Sequence, residues 1–418
     1  MAHEPTGQDG SGPAGPGYHR SPMTGIEQSA LADEVGRMLR AAWRAPGFCV
    51  PNQEVYPHQW LWDSCFHALV WDALGDDRAV TELGNVLAAQ AADGFVPHMT
   101  YWLEPDAHAD FWGRSGASTI TQPPMYGHVA AELIRRGRAV PSEVLGRAAD
   151  GLLHLARRPR SPAGLVPVFH PWETGCDDSA RWDGWLEPAV AGPDGDPEAR
   201  QASWRATKSA MVGALVRGPE GHAVANPTFT VGSVSFTALV AFNAAELASA
   251  YPERAAPLTE LAEELADAVG DRWDGLGWSD DPVAGVGSGG DEVGAQARTL
   301  DAMMALLVDP RADGFDQLLS ADGFAAPYGP RGVHRAEPSY DPDRYWRGPA
   351  WPQLGYLAMV AVERAGRGEG ADQLARLLVD GAVASGLAEY WNPETGEGRG
   401  AVPQTWAGLA VVAQRRLR

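Results

Sequence analysis

Apolar positions recur at helical spacing along most of the chain. Leu31, Val35, Met38 and Ala42 fall on one stripe, as do Leu145, Ala148, Leu152 and Leu155, then Leu258, Leu261, Leu265 and Val269, then Leu300, Met303, Met304 and Leu307. Apolar-rich segments near 62–74, 79–92, 124–136, 234–250, 353–366, 371–384 and 403–416 predict further helices. The total is about eleven or twelve helices. Period-two alternation is rare; Val166–Phe169 and Ala223–Val231 predict at most short strands.

The connections come in two kinds. Some are short, such as Gly75-Asp76-Asp77 and Pro252-Glu253. Others are long and rich in aromatic, acidic, Gly and Pro residues: 56–63, 95–122, 169–185, 273–290, 340–351 and 389–406. Helical hairpins that put every second connection at one end would gather the rich loops there. Closed into a ring, that is an all-α, six-hairpin (α/α)6 barrel with long loops on one face. The Pro/Gly/Asp stretch 187–198 reads as a loop or insertion. Residues 1–25 are Gly/Pro/Ser-rich without an apolar core, which predicts a disordered tail and no signal peptide. Residues 26–418 then form a single catalytic domain.

Charge narrows the partners. A formal net charge of −21 argues against nucleic acid, whose phosphates require clustered cations, and against anionic lipid. No apolar run is long enough to span a membrane. Three cysteines without a CxxC pair predict buried thiols in the cytoplasm. Trp outnumbers Tyr and Phe, at 16 against 10 and 10, which suits either extra core packing or a cleft of flat faces for sugar rings.

Four clusters carry candidate chemistry. In 170–183 (HPWETGCDDSARWD), Asp177, Asp178 and Ser179 suit helix capping, and one Asp between Trp residues also suits a general acid. In 388–398, the turn-forming NPETG makes Glu394 and Glu397 solvent-facing, whereas Glu389 lies before the turn, either exposed or pointing inward. In 345–351 (YWRGPAW), Arg347 either stacks and forks onto a ligand or forms a buried pair with a carboxylate. In 59–67 (QWLWDSCFH), Asp63 caps a helix or accepts from adjacent sugar hydroxyls, and His67 is a core or supporting group. Metal-ligand spacings, a P-loop and GxSxG are absent, so no metal or cofactor is expected.

Together these segments resemble glycoside hydrolase family 63 and its trehalase-like relatives, nearest the mannosylglycerate/glucosylglycerate hydrolases. The stretch from Glu173 to Trp182 is similar to the trehalase E-S-G-W-D-x-S-S-R-W; Trp62-Asp63-Ser64 resembles a sugar-binding W-D-S; 345–349 resembles Y-W-R-G-P; and 389–396 resembles E-Y-[YF]-[ND]-P-x-T-G. The matches stand in family order across residues 56 to 406. The resemblance implies the same barrel, with Asp177 as general acid and Glu389 as general base of an inverting α-glycosidase. It implies a sugar site of Trp62, Asp63, Gln122, Trp172, Arg181, Tyr345, Trp346, Arg347, Trp351 and Trp406. The expected substrate is a small α-glucoside or α-mannoside such as glucosylglycerate. Cys176 and Asp178 depart from the trehalase pattern, and 187–222 resembles no known cap, which leaves the aglycone open. Arg200, Arg205, Lys208 and Arg217 are its candidate cations. A glycosidase for an unusual pseudosugar, or a carbohydrate-binding protein without activity, are the alternatives. The oligomeric state is not legible.

Overall fold

The computed structural model describes residues 30–186, 196–284 and 296–417. The proposed tail and the Gly-rich run 285–290 lie outside these.

Two kinds of helix alternate, and their sequences say why. The helices α2 (Leu61–Ala73) and α8 (Val234–Ala250) are apolar nearly all round and are buried almost throughout. A helix with no polar face has to be surrounded by protein. By contrast, α1 (Leu31–Ala42), α3 (Arg78–Ala88) and α9 (Ala255–Gly270) bury a single stripe and expose the opposite face.

The first kind forms an inner ring among the described residues. Contacts run from α2 to α5 (Tyr126–Arg135), to α8, to the short 3-10 segment Ala302–Leu307, to α11 (Pro352–Arg364), to Thr405–Gly408 with α13 (Leu409–Arg416), and back to α2. An outer helix packs on each member. These are α3 on α2, α6 (Ser142–Ala156) on α5, α9 on α8, α10 (Ala312–Leu319) on 302–307, α12 (Gly368–Ala384) on α11, and α1 on α13.

Connections from inner to outer helices are short. Those from outer to inner are long and hold the small antiparallel ladders, including Gln59–Trp60 with Met99–Thr100 and Tyr390–Trp391 with Gly398–Arg399. The strand expected in 166–169 is Pro167–Val168, paired with Thr230–Gly232.

Three expectations need correction. The stripe Leu300–Leu307 is not an α-helix but a 3-10 segment over 302–307, which ends before Pro310. The helix expected from 403 starts as 3-10 at Thr405 and becomes α at Leu409. The unassigned region after 187 holds a full helix, α7 (Pro197–Gly213). Its start is marked in the sequence: Asp196 accepts from the Glu198 amide at 3.2 Å, and Pro197 occupies the first turn, where a missing N–H costs nothing.

Candidate active site

The outer-to-inner connections converge on one cavity. Trp62, Asp63, Gln122, Asp177, Tyr345, Trp346, Trp351, Glu389 and Trp406 line it, as do Pro51, Tyr56, Trp60, Gly175 and Gln404.

Glu389 points inward. It precedes the strand Tyr390–Trp391 and is buried. Its Oε2 accepts from the Ala401 amide at 2.8 Å and its Oε1 from the Tyr56 hydroxyl at 2.9 Å. Burial nevertheless dominates and raises its carboxyl to about 7, with the Asp177 charge adding to the effect. The Trp406 indole donates to the Glu389 carbonyl at 2.9 Å and fixes the backbone there.

Asp177 does not cap a helix. Its Oδ1 accepts from the Trp346 indole at 2.9 Å and the Tyr345 hydroxyl at 3.3 Å, and its Oδ2 from the Lys208 ammonium at 3.1 Å. Its carbonyl accepts from the Trp204 indole at 2.8 Å. Trp346 holds this position with φ +55°, a left-handed conformation rare for a bulky side chain, and stacks on Trp351 with ring centroids 3.8 Å apart.

Asp63 lies in the first turn of α2 without capping it, and burial raises its carboxyl to about 7. Gln122 reaches the same turn, its Oε1 3.5 Å from the Trp62 amide. The loop bearing Gln122 is tied down by Glu173, which accepts from the Thr121 amide at 3.2 Å and pairs with Arg158 at 2.8 Å. Glu173 is therefore an anchor of the 170–183 segment.

Three expected site residues do not line the cavity. Trp172 packs in the aromatic cluster behind Tyr56 and Trp60. Arg181 is buried between Asp280 and Asp301, with Ser235 at 3.0 Å. Two carboxylates hold its guanidinium. Arg347 forks onto Asp183 at 2.6 Å through both terminal nitrogens and reaches Asp178 at 3.4 Å. Arg200 completes that cluster, pairing with Asp178 at 2.7 and 2.8 Å. Burial raises the carboxyls of both Asp178 and Asp183, the latter to about 7. Of the remaining candidate cations, Arg205 and Arg217 are half-buried.

Tyr56, Trp60 and Gln404 went unassigned, although each lies in or beside an aromatic-rich loop or motif. His67 is a buried support: Nδ1 lies 3.0 Å from Glu82 and Nε2 2.6 Å from the Thr405 hydroxyl, beside Gln404. Potential metal-ligand groups do assemble in space, namely Cys49/His67/Glu82, Asp93/His154/His222 and His128/Glu132/Glu246. Except for His128 and Glu132, which stand four residues apart on α5, their members are far apart in sequence. None lines the cavity, and each group contains internal hydrogen bonds.

Buried carboxylates face one aromatic-walled cavity on a ring of paired helices, an arrangement suited to a glycoside hydrolase. Residues 56–407 match the family described as the mannosylglycerate hydrolase MGH1-like glycoside hydrolase domain, and the chain belongs to that family. It is 28% identical to a mannosylglycerate hydrolase of Rubrobacter radiotolerans, over 87% of this chain and 91% of that one. It is 27% identical to a glucosylglycerate hydrolase of Mycolicibacterium hassiacum, over 86% and 92% respectively. The family 63 mannosylglycerate hydrolase of Thermus thermophilus, solved with Tris and D-glycerate, shares the fold at TM-score 0.72 and 24% identity, covering 92% of this chain and 100% of that one. Among the described residues no helix is long and apolar enough to cross a membrane.

Proposed function

We propose that the chain is an inverting α-glycosidase acting on a small α-glucoside or α-mannoside, with residues 26–418 as one cytoplasmic (α/α)6-barrel domain. The observation that carries this reading is the pair Asp177 and Glu389, both buried and both on the same small cavity. The closed succession of six helix pairs supports the barrel.

In this reading Glu389 takes a proton from a water as its oxygen bonds the anomeric carbon. The bond to the aglycone oxygen breaks on the other side, and that oxygen receives the proton of Asp177. Inverting pairs stand about 6.5–9.5 Å apart to admit the water. A raised carboxyl suits Glu389 as a base poised near neutral pH. Trp62, Trp346, Trp351 and Trp406 offer flat faces to the sugar, and Asp63 and Gln122 offer acceptors to its hydroxyls.

The test is proton NMR of the sugar first released from glucosylglycerate, mannosylglycerate and neutral α-disaccharides. Release of the β-anomer supports inversion. The α-anomer first would replace this mechanism with a covalent intermediate, and binding without turnover would favour a carbohydrate-binding role.

A further inference from the structure

The three groups of potential metal ligands differ in what surrounds them. Glu82 accepts from the Cys49 amide at 2.9 Å and the Trp71 indole at 3.0 Å and meets His67, all in the closed core. Glu246 carries the guanidiniums of Arg135 and Arg364, so a cation already occupies that carboxylate. Asp93 is different. Its carboxylate faces two imidazoles, His154 and His222, and its side chain is 32% exposed while theirs are buried. Two imidazoles and a carboxylate at the edge of solvent are the ligand set of a transition-metal ion with water in a remaining position.

The three come from separate elements. Asp93 lies between α3 and the strand Met99–Thr100, His154 in the last turn of α6, and His222 just before Ala223–Ala225, a strand paired with Val216–Arg217. Asp93 Oδ2 stands 2.7 Å from His222 Nε2 and 3.4 Å from His154 Nδ1, and all three atoms lie within 4.8 Å of one another. A tetrahedral Zn2+ with bonds of about 2.0–2.2 Å has edges of about 3.4 Å, so side-chain shifts of about 1 Å complete the site. Asp93 Oδ1 accepts from the Phe95 amide at 3.2 Å, which fixes the carboxylate with Oδ2 toward the imidazoles. Phe95 in turn stacks on the His222 ring at 4.3 Å.

One nitrogen is under conflicting demands. His154 Nδ1 is 3.1 Å from the Asp93 carbonyl, which calls for a proton on it, and 3.3 Å from the Arg157 guanidinium, which calls for its lone pair. An ion on the lone pair removes the conflict, and the exposed Arg157 can turn to solvent. The proton now between His222 Nε2 and Asp93 then passes to His222 Nδ1, 3.4 Å from the Ala223 carbonyl, the kind of acceptor that orients a ligand imidazole.

We propose that Asp93, His154 and His222 bind a zinc ion with water in the fourth position, a clip that fastens the hairpin after α7 to the wall of the barrel. Imidazole ligands favour Zn2+ over the hard cations Ca2+ and Mg2+, which take oxygen. The clip also steadies the cavity from outside. Ala223, next to His222, donates its amide to the Thr119 carbonyl at 2.8 Å, and the loop that continues from Thr119 carries Gln122 to the cavity. Neither Asp177 nor Glu389 takes part, so the site stands or falls apart from the glycosidase mechanism.

Equilibrium dialysis of the full chain, free of any affinity tag and stripped with a chelator, against Zn2+ near neutral pH tests the site. Wild type should take up about one equivalent, and its melting temperature should rise by at least about 2 °C with Zn2+ but not with Ca2+. His222→Gln and Asp93→Asn should each weaken Zn2+ at least about tenfold and abolish the thermal shift. Arg157→Gln removes an opposing charge from an exposed position and should tighten Zn2+ at least about threefold, a result available even if the ligand variants do not fold. No Zn2+ uptake by wild type, unchanged affinity in folded His222→Gln or Asp93→Asn, or no gain in Arg157→Gln would each overturn the proposal.

Discussion

The Tyr56 hydroxyl donates to Glu389 Oε1 at 2.9 Å, joining residues 333 positions apart at the wall of the cavity. The phenol favours the ionised carboxylate, while burial favours the neutral form, and burial wins. If Glu389 is the base, kcat/KM falls as pH drops through about 7. Tyr56→Phe removes a group that lowers this pKa, so the acid limb should move up by about half to one unit. A pH–rate profile of wild type and variant checks this, and a downward shift would contradict it.

The same burial has a cost in stability. Folded Glu389 binds its proton more tightly than the unfolded chain, whose value is near 4.5. Its contribution is therefore most favourable below about pH 4.5 and is lost as pH rises to about 7. Glu389→Gln stays neutral, and the Tyr56 hydroxyl can turn to accept from the new amide. The variant should be inactive yet gain about 1–3 kcal/mol over wild type at pH 8, with little gain at pH 4.5. Denaturant melts at the two pH values read the difference.

Asp177 and Asp178 are adjacent but held by different partners. Asp177→Asn should lower kcat by about 10²–10⁴-fold and, because it removes the carboxylate paired with the buried Lys208 ammonium, should also cost about 3–5 kcal/mol of stability. Asp178→Asn removes a charge from the buried pair with Arg200 and should cost about 3–5 kcal/mol of stability. The folded fraction should turn over far better than Asp177→Asn. The opposite pattern would shift the acid by one residue.

Arg181 should behave as a structural cation. Arg181→Met leaves Asp280 and Asp301 facing each other without charge compensation, a loss of about 3–5 kcal/mol. KM of the folded fraction should stay within about twofold, because the side chain is away from the cavity lining. A large KM change at unaltered stability would return Arg181 to the sugar site.

Gly175 lines the cavity at φ +73°, and a Cβ there would lie 2.5 Å from the Trp62 ring. Gly175→Ala combines backbone strain with displacement of a rigid aromatic face. It should cost about 1–3 kcal/mol and raise KM, as thermal melts and initial rates would show. An unchanged KM would mean that Trp62 does not contact the sugar.

Much of this arrangement is local and therefore legible in the sequence. The apolar runs of 62–74 and 234–250 forecast helices, and their lack of a polar face is the reason the fold encloses them in the inner ring. The alternation of short and aromatic-rich connections forecast which end would carry the site, and the WDS, ETGCDD, YWRGP and EYWNPETG segments drew attention to Asp63, Asp177, Trp346 and Glu389, all of which line one cavity. What the tertiary structure decided is pairing at long range. A guanidinium next to two Trp residues reads alike whether it faces a ligand or a carboxylate, and only folding brought Asp183 to Arg347 and Asp280 to Arg181. Nor does any local pattern carry Lys208 to Asp177 or Tyr56 to Glu389, since those contacts arise from helix α7 and an early loop packing against a ring assembled from distant segments. The chemistry-bearing residues are chosen by short motifs. Their protonation is set by neighbours that become neighbours only when the ring closes, because burial and charge act through space and not along the chain.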